Sequence, residues 1–381
     1  MTRTAWTPAS PWPTADEQLL LRAALLDGGG ALDAWRRFRD THDGIDHLDG
    51  DAYRLLPQLF RNLQAYDSED PALGRLKGIY RHTWYVNQLL MRAGSHAVAL
   101  LEADCVDTML LDGGALVACH VRDVGDRPMD SCGVLVHPHD AERSLAILSA
   151  HGWTSRDRLS PRQLTRTRRS VALVKEEGGH LVLHWSALFP GSYDEELWSD
   201  AVKVSLGGVE TLAPSPTDQL LLACVEGLGW TPAPLRWIPD ATLLIRSISE
   251  AIDWRSLVVR ARQRAVALDL ADALEFLVVE LQLELPRELP AWLRQRAERS
   301  DRLLHGLKMM PQRRAVFWRL ARRTARACDA TRRLATSSPP AARRREKLVI
   351  LLDGWGARAR RATARRAVRK GVGWFSRART P

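Results

Sequence analysis

Residues Leu110–Val136, LLDGGALVACHVRDVGDRPMDSCGVLV, decide the fold. The stretch reads as the end of an apolar element, a Gly113-Gly114 turn, a helix starting near Ala115, a loop and then a strand. Thr108–Leu111 is a short strand candidate and Cys132–Val136 a second one. Side chains alternate along a strand, so Ser131 and Gly133 share one face and Cys132 points to the other. Neither Ser131 nor Gly133 carries a carboxylate, and Asp130 stands just outside the strand.

Outward from this block the pattern is helices, a small sheet, then helices. Glu17–Asp27 and Ala31–Thr41 have helical apolar spacing, with Gly28-Gly29-Gly30 as the turn between them. Tyr53–Gln64 and the long Leu73–Leu101 follow, the latter with a stripe of Tyr80, Trp84, Asn87 and Leu90 expected in the core. After the central block come an amphipathic helix at Asp140–His151 and strands at Val171–Lys175 and His180–Trp185 around Glu177-Gly178-Gly179. Thr217–Glu226, Pro239–Ile248, Trp254–Arg264 and Leu268–Leu281 read as successive helices. The expected fold class is α+β, a small mixed sheet embedded in a mostly helical protein. The expected division is an N-terminal helical region (1–104), an α/β core (105–212), a C-terminal helical domain (213–310) and an Arg-rich helical tail (311–381) with a linker near 336–341.

At 381 residues, 45% hydrophobic and 26% charged, the chain has the composition of a globular protein with a sizeable core. The net charge of +10 is unevenly spread: residues 311–381 hold 21 basic residues against three acids, leaving 34 basic and 42 acidic in the rest. Such a tail suits nucleic acid or an anionic surface, or else a solvated helix face. Only six of the 55 basic residues are Lys, as GC-rich bacterial coding would give. No run of about 18 apolar residues marks a transmembrane segment. The N-terminus has no apolar signal core, so a cytoplasmic location is expected. Cys105, Cys119, Cys132, Cys224 and Cys328 are widely spaced, form no CxxC and read as reduced, mostly buried thiols.

The block RPMDSCGVLV, with LLDGGAL upstream and HLVLHW downstream, resembles a bacterial nucleotidyltransferase-like family distantly similar to DNA polymerase β and the minimal nucleotidyltransferases. ALDAWRRFRD, YRLLPQLFRNL, YRHTWYVNQLL, LAPSPTDQLLLACVEG, LRWIPDATLLIR and DWRSLVVRAR extend the resemblance over roughly Leu19–Leu285. It implies a nucleotidyltransferase-type sheet. Members of the family carry Lys-Gly in the turn, Arg-Pro-Met-x-Asp-x-Asp on the strand, and an acid two residues before a His-Trp pair. Those acids hold the two divalent ions that activate the attacking hydroxyl and neutralise the triphosphate. Here Gly113, Arg127, Pro128, Met129, His184 and Trp185 match. The lysine position is Asp112, the paired acid positions are Ser131 and Gly133, and the third is Val182. The resemblance therefore implies a fold whose catalytic carboxylates are missing. Gly113, Gly114, Arg127, His184, Trp185 and Arg236 are the candidate ligand-binding residues.

The leading expectation is a catalytically degenerate nucleotidyltransferase-like protein, acting as a binding or accessory factor. Its partner would be a nucleotide, a phosphorylated small molecule or a pathway protein, in a setting such as bacterial specialised-metabolite or peptide modification. The first alternative is an active nucleotidyl or phosphoryl-linked group transferase. Its Mg²⁺ and nucleotide would use a relocated acidic site, with Asp126 and Asp130 as substitutes in a cluster with Asp112 and Asp123. The second is an interaction module that binds nucleic acid through its basic tail. Without the first alternative, no cofactor or metal is expected.

Other constellations are weaker. The loop THDGIDHLDGD lacks the order of a calcium site and reads as a polar connection. His137-Pro138-His139-Asp140 reads as a proline turn with Asp140 near a helix start, against a two-histidine metal reading. Of His184 and Trp185, one lines the cleft and the other packs. Arg236 contacts a phosphate or carboxylate, or else pairs with Asp240 at (i, i+4). No GxSxG elbow, P-loop or dinucleotide fingerprint occurs.

Overall fold

The computed structural model describes residues 12–306, apart from short breaks at 43, 46–47, 49, 68, 158, 177, 188–193, 229–234, 299–300 and 303–304. The Arg-rich tail and its linker, Cys328, and Asp43, Asp46, His47 and Asp49 of the acidic loop lie outside the described residues. No helix among the described residues is long and apolar enough to cross a membrane.

The chain opens with α1 (Ala15–Leu25), α2 (Gly28–Thr41), the single turn α3 (Gly50–Tyr53), α4 (Leu56–Tyr66) and the long α5 (Leu73–Ala103). A Thr14–Glu17 capping box fixes the start of α1. The expected three-glycine turn is shorter than its sequence. Only Gly28 has a positive φ, of 57°, and the helix runs on through Gly29 and Gly30.

The central unit is β1 (Thr108–Leu111), α6 (Asp112–Cys119), β2 (Cys132–Val136), α7 (Ala141–Ala150), β3 (Thr154–Ser155), α8 (Pro161–Thr167), β4 (Ser170–Lys175) and β5 (Gly179–His184). Then come α9 (Asp194–Ser199), β6 (Val202–Leu206) and β7 (Val209–Ala213). The sheet is mixed, seven-stranded and ordered β3-β4-β5-β2-β1-β7-β6. β6 and β7 form a hairpin over Gly207-Gly208, both at positive φ, which lengthens the sheet beyond the sequence reading. The structure closes with α10 (Pro216–Leu228), α11 (Trp237–Ile248), α12 (Trp254–Gln263), α13 (Ala267–Leu281) and α14 (Leu289–Arg296). The architecture is α+β, a mixed sheet within a mostly helical chain.

Register assigns the two faces of the sheet. Leu111 pairs with Gly133 and Gly133 with Val182, while Leu135 pairs with Met109 and His184. Paired residues share a face. The opposite face, with Leu110, Cys132, Val134, Leu181 and Leu183, belongs to a core shared with Ala97, Val98 and Leu101 of α5 and Leu145 and Leu148 of α7. α5 comes so close that a Cβ at Gly94 would lie 2.5 Å from the Cys132 Sγ. A second core joins α1, α2 and α4 to α10, α11 and α13, so the first and last helices pack together beside the sheet.

The α5 stripe is not uniformly core. Trp84 is 45% exposed, whereas Asn87 is fully buried. The buried line runs through Leu76, Thr83, Asn87, Leu90, Gly94 and Val98, and Trp84 lies one position off it. Cys132 and Cys224 are buried as expected, but Cys105 is exposed.

Candidate functional site

A cavity of about 320 Å³ opens between the face of the sheet that bears Gly133 and Val182, the first turn of α6, and the start of α11. Ser131, Gly133 and Val182, the positions to which the resemblance assigns acids, lie close together: Gly133 and Val182 are register partners, and Ser131 and Val182 line the cavity. Four arginines (Arg54, Arg127, Arg169 and Arg236) and His184 line the same cavity, against Asp112, Asp130 and Asp240. A cation-rich pocket of this kind favours an anionic guest.

Arg127 is the anchor. Its Nε and Nη2 each donate to an oxygen of Asp240 at 2.7 Å, a bidentate pair between the loop before β2 and the first turn of α11. Burial disfavours the guanidinium charge, but Asp240, joined by Asp112 and Asp130, holds the Arg127 pKa above its ordinary value. The loop is fixed from below by Asn87, whose Nδ2 donates to the carbonyls of Val124 and, at 2.7 Å, Arg127. The Met129 N–H donates to Asn87 Oδ1 at 3.0 Å. Gly113 leaves room for this arrangement, since a Cβ there would overlap Arg127 Nη1.

Asp112 performs the turn that sequence reasoning gave to the glycines. Its φ is +51°, a left-handed conformation that Asp tolerates better than most residues, and α6 starts at once. Its Oδ2 lies 3.6 Å from His184 Nε2 and 3.2 Å from the point where a Cβ on Gly133 would sit. The carboxylate thus occupies space that a side chain at 133 would need. Gly114 is not on the cavity wall; it faces Cys132, with 3.1 Å between a would-be Cβ and Sγ.

His184 lines the cavity and is 4% exposed. Trp185 belongs to the core behind the sheet, where its Nε1 donates to the Arg168 carbonyl at 2.8 Å, so it is not a ligand-binding residue of this cavity. Arg236 does not pair with Asp240, because Arg127 takes that carboxylate; instead its Nη1 lies 3.8 Å from Asp130 Oδ2. Asp123 and Asp126 are turned elsewhere, Asp123 accepting from the Tyr80 hydroxyl and Asp126 lying 3.4 Å from Arg61 Nε. The proposed cluster of four acids is therefore split in two. Arg169 carries no motif that marks it in the sequence, Arg54 was legible only as part of YRLLPQLFRNL, and Asp240 only as part of LRWIPDATLLIR and as a possible partner of Arg236.

Hard divalent cations need several oxygen ligands, chiefly carboxylates. The donor set at the strand positions is one hydroxyl, one glycine and one valine, with the single Asp112 carboxylate beside an imidazole. Among the described residues no group of three His, Cys, Asp or Glu is arranged to hold a metal ion. These residues do not fit a two-ion centre.

A mixed sheet with a glycine-bearing helix start facing a central strand, inside a helical shell, defines a nucleotidyltransferase-type protein. Residues 51–278 match the model of a family described as uncharacterised nucleotidyltransferase, and the chain belongs to that family. No curated protein and no solved structure matches it.

Proposed function

We propose that this chain is a binding member of its family, one that holds a nucleotide or other phosphorylated small molecule without metal-dependent transfer. The observation that carries this reading is the cavity wall itself. Ser131 and Val182, two of the positions to which the family resemblance assigns carboxylates, line it without an acid, while Arg54, Arg127, Arg169 and Arg236 line the same space. Without cations to neutralise a polyphosphate, arginine is the side chain suited to do so. An accessory role in bacterial specialised-metabolite or peptide modification, through a partner protein, accords with the family resemblance. Titration calorimetry with ATP, in EDTA and in Mg²⁺, tests the reading. ATP binding that survives EDTA, with no pyrophosphate release, is expected. Tight binding only as Mg²⁺·ATP, with pyrophosphate released, would overturn it.

A second reading rests on Asp112. Its carboxylate stands beside His184 and over Gly133, close to where a strand acid would project, so a transferase using a relocated acid is the rival. On that reading Mg²⁺- or Mn²⁺-dependent turnover exists and is abolished by Asp112→Ala.

A further inference from the structure

Asp130 is held between two arginines that are far apart in the sequence. Arg54 Nη2, from the turn before α4, contacts its Oδ1; Arg236 Nη1, at the start of α11, lies 3.8 Å from its Oδ2. All three line the cavity. Arg54 is anchored independently of Asp130, with Nη1 3.5 Å from the Pro128 carbonyl and Nε 3.9 Å from Asp51. Asp130 is the most exposed of the three, 59% at its side chain against 20% for Arg54 and 42% for Arg236.

From this geometry we propose that Arg54 and Arg236 form an oxyanion subsite for a phosphate group of the ligand, and that Asp130 is its resident competitor. The proposal rests on the binding reading given above. A carboxylate whose two oxygens each face a guanidinium already displays the geometry by which a phosphate would be held. A terminal phosphate brings nearly two charges and three acceptor oxygens, against one charge and two oxygens for the carboxylate. Asp130 loses little by leaving, because an exposed ion pair is weak and the freed carboxylate returns to water. The exchange is a swap of anions on two cations, one of them anchored apart from Asp130, with no covalent bond made or broken. It has a consequence for selectivity. A neutral or singly charged ligand gains little over Asp130, whereas a di- or triphosphate displaces it.

The test is titration calorimetry of the full chain with ATP and, separately, inorganic pyrophosphate, both in EDTA. Asp130→Ala is expected to tighten both ligands by up to about fivefold, the worth of an exposed ion pair that no longer has to be given up. Arg54→Gln is expected to weaken both by a similar factor, and in the Arg54→Gln background Asp130→Ala should give no gain. Asp130→Asn, which keeps the shape and removes the charge, serves if the alanine variant fails to fold. Tightening of ATP but not pyrophosphate would also overturn the subsite, because its contacts are to phosphate alone. Binding by the unmodified chain that neither Asp130 variant changes, or weakens, overturns this inference and leaves the binding reading standing. Absence of binding in every variant overturns that reading and the inference with it.

Discussion

Asp112 and Gly133 compete for one volume: the Asp112 Oδ2 lies 3.2 Å from the point where a Cβ at residue 133 would project, and the Leu111 carbonyl oxygen is 3.0 Å from that point. The two residues are coupled although they are 21 positions apart and belong to different elements. A left-handed residue at the β1–α6 junction aims its side chain across the neighbouring strand. An acid on the strand at 133 would meet both the space and the charge of Asp112. This relation leads to the first expected outcome. Gly133→Asp should destabilise the protein by roughly 1–3 kcal/mol, by overpacking and like-charge contact. The cost should fall clearly when Asp112 is also replaced by Gly, which accepts the positive φ. A double-mutant cycle followed by chemical denaturation measures this coupling; additive costs would show that the two side chains do not share the space.

The Arg127–Asp240 pair ties the site loop to α11 through two buried hydrogen bonds. Removing either partner leaves a buried charge, so Arg127→Ala or Asp240→Ala should cost about 3–5 kcal/mol. Arg127→Lys should also fail to restore stability, because an ammonium cannot make the bidentate pair. Gly113→Ala should displace the guanidinium at a cost of about 1–3 kcal/mol, and that cost should shrink in an Arg127→Ala background. Urea denaturation of the four single variants and of the Gly113→Ala, Arg127→Ala double variant measures these costs.

Asp126 is pushed up to about 6, first by burial, with Asp123 adding to the effect and the Arg61 guanidinium opposing it. Its charge is thus less welcome in the folded chain than in the unfolded one. The stability it contributes is fullest below the ordinary Asp pKa of 3.8 and declines as pH rises through about 6. Asp126→Asn should therefore stabilise the protein at pH 7, by roughly 1–2 kcal/mol after allowance for its partial exposure, and should have little effect at pH 4. Melting temperatures of the two proteins across pH 4–7 check this. A variant less stable at pH 7 would contradict it.

His305 joins the residues after α14 to α13, its Nδ1 2.9 Å from Asp269 Oδ1 and its Nε2 3.3 Å from Asp272 Oδ2. Burial opposes its charge, but the two carboxylates raise its pKa from 6.5 to about 9. The stabilisation is complete below about pH 6.5 and is lost as pH rises through 9. The melting temperature should fall across this interval, and His305→Gln should remove that part of the slope. An unchanged slope in the variant would place the pH dependence elsewhere.

Much of the molecule could be read along the chain. The periodicity of α5, the strands Thr108–Leu111 and Cys132–Val136, and the helices after residue 216 are local patterns of apolar spacing, and local patterns survive without knowledge of partners. The β6–β7 hairpin, with Gly207-Gly208 between alternating runs, and α8, opened by the Ser160–Gln163 capping box, carry equally local signals that the sequence reading does not include. Trp84 went astray because a four-residue step from Tyr80 is compatible with two faces of a helix. Asn87, one turn away, is buried for its hydrogen bonds to the Arg127 loop and not for its apolarity.

The candidate site divides in the same way. The residue types alone determined that neither Ser131 nor Gly133 brings a carboxylate, and strand alternation that Gly133 faces away from Cys132, whereas Ser131 lies just before β2. Only the tertiary structure decided where Asp112 points, that His184 and not Trp185 faces the cavity, that Asp240 belongs to Arg127, and that Arg54 and Arg236 converge on Asp130. The physical reason is range. Backbone period and residue type act over a few positions, whereas an ion pair between residues 127 and 240, or 54 and 130, exists only after the helical shell has closed around the sheet.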